Sequence, residues 1–273
     1  MSIAVCVKGP GCLALAADSR RTIHPYKSEN LYETWDADQK LISFNGEAHR
    51  WVGLVESGAC APEDISSAIV AEVEAGLPPH RLTIGEYAQR VHEVAASRAK
   101  GSAEYLLHAS VAGFDEGDAE GHVFLVDVPG SMAPVEFAAG TVGIAYTGAR
   151  EFVDRLLRGY DPRLIVEDEE LRSLLATPLA LDTMTVEECA ALAMFLVQTS
   201  VGMQTFFGPL ARQVSGGPLD AATITAAEGL RFVQHTARDP DCPVLERGLA
   251  NAWPAVVTNA PIDLRRFATY MVV

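Results

Sequence analysis

The chain opens on two short apolar-rich runs, Ser2 to Lys8 and Cys12 to Asp18, separated by Gly9-Pro10-Gly11, a pattern that predicts a β-hairpin. With Pro10 at the centre of the turn, Ser2 falls opposite Asp18. Alternation then sends Ser2, Ala4, Cys6, Cys12, Ala14, Ala16 and Asp18 to one small or polar face. Ile3, Val5, Val7, Leu13, Leu15 and Ala17 take the other, the greasy side expected to bury against helices. A bulge in the three-residue turn would shift this register by one. Residues 20 to 38 are polar and read as an irregular excursion before strands at Lys40 to Phe44 and Arg50 to Glu56.

Helical periodicity follows. Pro62-Glu-Asp precedes an apolar-periodic stretch to Ala75, and Thr83-Ile-Gly-Glu86 is a capping box opening a helix to about Lys100. Strands return at Leu106 to Phe114, His122 to Val128, Val135 to Ala138 and Val142 to Tyr146, implying a second sheet. Helices are expected over Ala149 to Arg158, Val166 to Ala176 and Thr185 to Ser200, the last behind a second capping box, Thr185-Val-Glu-Glu188. Further strands are expected near Ala211 to Val214 and Ala221 to Thr225. The order is α+β, and two stacked antiparallel sheets with helices outside make a layered sandwich. No linker splits residues 1–273, which read as one domain whose halves each run from sheet to helices.

Composition narrows the function classes. Of the 273 residues, 49% are apolar and 21% charged, enough for a substantial core, which excludes disorder, collagen and a miniature disulfide scaffold. Lys and Arg number 21 against 36 Asp and Glu, a formal charge of −15 that opposes non-specific phosphate binding, so no nucleic-acid partner is expected. The longest apolar run, Cys189 to Val197, is about half of the roughly 18 residues that read as a membrane span, so no membrane crossing is expected. The N-terminus has no basic stretch followed by a long apolar one, and a cytoplasmic location is expected. Five cysteines without a C-x-x-C fit free buried thiols better than a disulfide framework, and the scattered histidines offer no metal-binding pair on one helical face.

Most catalytic motifs fail on their context. Gly9-Pro-Gly-Cys-Leu-Ala14, with Asp36 further on, matches a loose dinucleotide fingerprint, but the segment after it ends too soon at Asp18-Ser19 to be the helix that binds a pyrophosphate. No Gly-Lys-Ser/Thr loop and no G-x-S-x-G elbow occur. What survives is a small polar set. Lysine is rare here, and Lys40 stands at the head of a predicted interior strand. Asp18-Ser19-Arg20 ends another strand, and Ser2 begins the first. Together Ser2, Asp18 and Lys40 would put a hydroxyl, a carboxylate and an ammonium on one sheet floor.

These residues resemble the proteasome β-subunit group of N-terminal nucleophile hydrolases, including its bacterial ring-forming, ancestral β-subunit-like relatives. The resemblance is carried by the second-residue hydroxyl, by Ala16-Ala-Asp-Ser-Arg20, by Lys40-Leu-Ile, and by Gly-Leu-Val-Glu-Ser57-Gly58-Ala-Cys-Ala before a helix. Ala112-Gly-Phe-Asp115 and His122-Val-Phe-Leu-Val-Asp127 look like the family's central strands. Phe137-Ala-Ala-Gly-Thr141-Val-Gly143 and Ser215-Gly-Gly217 look like its later turns. Similarity therefore runs through most of the chain, and the N-terminal hairpin is its specific part.

The resemblance implies a four-layer αββα sandwich that hydrolyses a peptide or amide with no cofactor and no metal. Ser2, freed by removal of Met1, would be the nucleophile and its own α-amine the base. Asp18 and Lys40 would tune it, and the Gly58 N–H would meet the oxyanion. Ser19, Thr141 and Ser215 would be accessory hydroxyls, and Arg21, Glu56 and Cys60 would line the substrate pocket. The family assembles into rings or stacks of like subunits, and no docking tail for an ATPase partner is recognisable. Three features depart from the family. Serine replaces the usual threonine, Arg212 stands where an aspartate is expected, and the segments flanking Lys40 are longer than the family's. The alternative implied by these departures is a catalytically inactive assembly scaffold or binding protein of the same shape.

Overall fold

A computed structural model of the protein describes residues 2–23, 33–36, 38–59, 65–99, 106–161, 168–207, 215–235 and 268–272. In chain order the strands and helices are β1 (Ile3–Gly9), β2 (Cys12–Asp18), β3 (Arg21–Ile23), β4 (Glu33–Trp35), β5 (Leu41–Ser43), β6 (Val52–Ala59), α1 (Ile65–Ala75), α2 (Ile84–Ala99), β7 (Leu106–Gly113) and β8 (His122–Val128). They continue with β9 (Val135–Glu136), β10 (Gly143–Gly148), α3 (Glu151–Arg158), α4 (Glu169–Leu175), α5 (Val186–Phe207), β11 (Leu219–Thr225), β12 (Gly229–Gln234) and β13 (Ala268–Val272).

Two antiparallel sheets stack face to face. One has the order β12-β11-β2-β1-β10-β13 and the other β5-β6-β7-β8-β9, with β3 and β4 forming a separate ribbon. Helices α1 and α2 cover the five-stranded sheet, and α3 and α5 cover the six-stranded one. The result is an α+β, four-layer αββα sandwich with three apolar interiors: one under each helix layer and one between the sheets. The capping boxes start their helices as expected. Thr83 N–H donates to Glu86 at 2.8 Å while Glu86 N–H donates to Thr83 Oγ1 at 3.3 Å, and Thr185 and Glu188 repeat the exchange at 2.8 and 3.3 Å.

Several expectations are corrected. The N-terminal hairpin turns on two residues, Pro10 and Gly11, with Gly11 in the left-handed region at φ 65°, so Gly9 pairs with Cys12 and Ala4 with Ala17. That shift by one reverses the faces of β2 relative to β1. Cys12, Ala14 and Ala16 join Ile3, Val5 and Val7 under the helices, while Leu13, Leu15 and Ala17 face the other sheet with Ala4 and Cys6. The two sheets are interleaved along the chain rather than built one from each half, because β10 and β11 return to flank the first hairpin. The polar stretch after β2 contains the β3–β4 ribbon, β12 and β13 add strands beyond those expected, and the strand expected near Ala211 to Val214 lies outside the described residues.

Helix α5 extends seven residues past its expected end. By length and composition alone it is apolar enough to cross a bilayer, which the short uninterrupted run conceals because uncharged Gln198, Thr199 and Ser200 break it. Here it forms a layer of the sandwich. Cys189, Ala190, Ala193, Leu196 and Val197 are buried against β1 and β2, and Phe195 and Phe206 remain exposed.

Candidate functional site

Ser2, Asp18 and Lys40 meet where β1 begins, β2 ends and β5 is about to start, and all three are buried. The backbone holds Ser2 in place: its carbonyl accepts the Ala149 N–H at 2.7 Å as β10 runs out. Gly148 makes this approach possible, since its φ is 90° and a Cβ there would stand 1.7 Å from the Ser2 carbonyl oxygen.

Asp18 accepts four hydrogen bonds. Its Oδ1 takes the Ile3 N–H at 2.8 Å and the Lys40 ammonium at 3.1 Å; its Oδ2 takes the Arg20 N–H at 3.2 Å and the Gly216 N–H at 2.8 Å. Four donors thus satisfy the buried carboxylate, one of them the side chain of Lys40. Lys40 also donates to the Arg20 carbonyl, and Ser2 Oγ donates to the same oxygen at 3.5 Å. Hydroxyl and ammonium thus share one acceptor, with the carboxylate beside them. The Lys40 backbone is fixed in turn, its carbonyl accepting the Glu56 N–H at 3.0 Å.

A second tier steadies the Arg20 segment. The Arg20 guanidinium grips Asp36 through two bonds of 2.6 and 2.8 Å, which hold the Asp36 carboxyl below and the Arg20 guanidinium above their ordinary values. The guanidinium lies over Gly216, where a Cβ would come within 2.5 Å of its central carbon. Ser19 is engaged by the neighbouring loop, its Oγ donating to the Asp36 carbonyl at 3.0 Å. Ser215 is buried against Gln204 of α5, which donates to its Oγ at 3.1 Å and accepts its N–H at 3.2 Å. It thereby sets the Gly216 N–H that reaches Asp18.

The other expected residues divide. Gly58, half-buried near the end of β6, follows Ser57, whose Oγ is 2.6 Å from Thr147 Oγ1 across the two sheets. The same Cβ position at Gly148 that would meet the Ser2 carbonyl stands 3.0 Å from Ser57 Cβ, which brings this end of β6 alongside Ser2. Arg21 pairs with Asp38 at 2.9 Å at the edge of the group. Glu56 is buried, but it pairs across the ladder with Ala109, whose side chain belongs to the interior under α1 and α2, so its side chain leaves on the face away from Ser57. Thr141 is a correction. It is exposed and precedes Gly143, which pairs with Lys8, whereas Gly148 pairs with Ile3; Thr141 therefore sits at the far end of β1, about 20 Å from Ser2. Met1, Cys60 and Arg212 lie outside the described residues.

Sequence reasoning missed Ser57, Thr147, Gly148, Gln204 and Gly216. Ser57 and Gly216 stand inside the motifs Glu-Ser57-Gly58 and Ser215-Gly-Gly217, and Gly148 carries a local signal of its own, a glycine closing a strand directly before a helix. It also passed over His108, which is buried between Ser57 and Asp127 in cross-strand register, with Nδ1 3.0 Å from Asp127 Oδ1. Among the described residues Asp115, Asp118 and His122 each bring one ligand atom within 4.8 Å of the others, at an exposed loop. His122 is already engaged there, by Asp118 at 3.0 Å and Glu136 at 2.8 Å, so the group is satisfied as an ion-pair cluster.

No protein-family model matches the chain, and no curated protein sequence matches it, so the chemistry of the site rests on its geometry.

Proposed function

We propose that the protein is an amide hydrolase of the N-terminal nucleophile type, similar to the proteasome β-subunits, acting on a peptide or amide. The observation that carries the reading is the convergence of the Ser2 hydroxyl and the Lys40 ammonium on the Arg20 carbonyl, with Asp18 bonded to the same ammonium. Removal of Met1 gives Ser2 a free α-amine. Its pKa of about 7.7–8.0 leaves a useful neutral fraction at pH 7. That amine takes the Oγ proton, directly or through a water, while the fixed ammonium beside the oxygen favours its anionic form. The oxygen attacks the carbonyl carbon, and the charge that develops meets the Gly58 N–H, a kind of contact worth about 2.7–4 kcal/mol in other hydrolases. The protonated amine then returns its proton to the leaving nitrogen, and water releases the acyl group from Ser2 by the same route in reverse.

Exposed Phe195 and Phe206 on α5 and Leu174 on α4 support assembly of like subunits through the outer helices, in a ring or stack within the cytoplasm. The experiment is intact-mass analysis of protein isolated from cells, joined to turnover of a panel of fluorogenic peptide amides. Loss of Met1, turnover by the wild type and a fall of about 10³-fold or more in Ser2→Ala support the reading. Retained Met1 with no labelling by N-terminal nucleophile inhibitors overturns it in favour of an inactive scaffold.

A further inference from the structure

We propose that Cys12 and Cys189 form a peroxide-reactive dithiol site, in which hydrogen peroxide converts the two thiols to a disulfide joining the β1–β2 hairpin to α5. Cys12 is the first residue of β2 and Cys189 lies in the first turn of α5; both are buried, both are free thiols, and their sulfurs are 3.7 Å apart. The shift in hairpin register produces this meeting, because it turns Cys12 toward the helix layer with Ala14 and Ala16.

Gly9, paired with Cys12 across the turn, keeps the gap open. A Cβ at Gly9 would stand 2.6 Å from Cys189 Sγ and 3.0 Å from Cys12 Sγ. Closing the sulfurs to a bond of about 2.05 Å therefore needs small side-chain rotations in a space that no other side chain fills.

The two thiols are unequal. The bond between the two sulfurs holds the Cys12 thiol below its ordinary value, whereas that same bond and burial raise Cys189. Cys6, without such a partner, is pushed up to about 12 by burial and stays protonated. At 3.7 Å either sulfur can reach the other, and in the proposed step Cys12 is the attacking thiolate. Its thiolate takes one peroxide oxygen as the O–O bond breaks, giving a sulfenic acid, and the departing hydroxide takes the Cys189 proton to leave as water. The Cys189 sulfur then attacks the Cys12 sulfur, the S–O bond breaks, and the second oxygen leaves as water after taking up the proton lost when Cys12 ionised. Two thiols are oxidised and one peroxide is reduced to two waters. Peroxide is small enough to enter a closed core during local opening, where a bulky disulfide oxidant is not.

The pair sits at the turn end of the hairpin, and Asp18 closes the same strand about 20 Å away. Oxidation therefore leaves the contacts of Ser2, Asp18 and Lys40 in place and acts on stability, through a link between residues 177 apart in the chain. The test is to treat the reduced full chain with a slight excess of hydrogen peroxide, quench, denature, alkylate and map the peptides. A peptide pair joined through Cys12 and Cys189 is expected, with a rise in Tm of about 5 °C or more that reductant reverses. Cys12→Ser removes both signals. Gly9→Ala, which keeps the thiols and fills the gap, abolishes the link on its own should the serine variant fold poorly. A map showing both cysteines free, Cys12 carried to a sulfinic acid, or either one bridged to a different cysteine overturns the proposal.

Discussion

Replacing Asp18 by asparagine keeps the side chain's shape and reverses one of its two ends from acceptor to donor. Each Asp18 oxygen accepts two bonds, Oδ1 from Ile3 N–H and Lys40, Oδ2 from Arg20 N–H and Gly216 N–H. Whichever way the amide is turned, its NH2 faces two donors, and the Lys40 ammonium, almost fully buried, loses the anion beside it. Removing one partner of a buried ion pair costs about 3–5 kcal/mol, against a total stability of about 5–15 kcal/mol for a typical domain. Asp18→Asn is therefore expected to lower the urea midpoint by that equivalent with an unchanged m-value, read by circular dichroism. Adding Lys40→Met removes the stranded charge, so the double variant should regain about 1–3 kcal/mol over Asp18→Asn alone. A single variant within about 1 kcal/mol of wild type, or a double variant less stable than the single, would refute the claim that this pair is a mutually dependent buried unit.

Three further outcomes are expected. Gly148→Ala drives a methyl into the Ser2 carbonyl and adds backbone strain of about 1–3 kcal/mol, so both Tm and any hydrolysis should fall; a wild-type melting curve would show that the Ser2–Ala149 contact is loosely held. Tyr146→Phe removes the 2.8 Å bond from the buried phenol to Asp154 and should cost about 1–3 kcal/mol in urea unfolding, with no loss at all contradicting the assignment. Burial pushes the His122 imidazole down, but its bonds to Glu136 and Asp118 outweigh that and set it above 6.5. Its folded form binds the proton more tightly than the unfolded chain, so this stabilisation is complete below pH 6.5 and is lost as pH rises through the folded value. His122→Gln should flatten the decline in urea midpoint above pH 6.5, and an unaltered slope in the variant would contradict this account.

Much of the site was legible because its three central groups sit at strand ends, where the apolar pattern breaks off, although Asp18 comes to lie against Ile3 rather than opposite Ser2. Ser2 and Asp18 close the first hairpin and Lys40 is one of few lysines, so local pattern was enough to gather them. The hairpin's register was not legible, because Gly9-Pro10-Gly11 accommodates a turn of two residues or of three, and each leaves the same residues apolar. Thr141 was misplaced for a related reason. A hydroxyl in a glycine-flanked turn looks the same at either end of a strand, and only the pairing of β10 with β1 says which end it occupies. Gln204 and Gly216 lie 186 and 198 residues after Asp18, and no local pattern links them to it. Which sheet each hairpin joins is likewise decided by long-range pairing, so the elements could be named before their interleaving could be.

The interleaved sheets also bear on how the molecule is made. Strands β1 and β2 occupy the middle of their sheet, flanked by β10 and β11, whose residues are synthesised much later. The hairpin must wait with both edges unpaired, a topology of high contact order that slows folding and leaves it exposed to aggregation or in need of a chaperone. The same wait postpones the candidate site. Asp18 lacks its fourth donor until Gly216 has emerged, so the polar group around Ser2 is completed only after some two hundred further residues have been made.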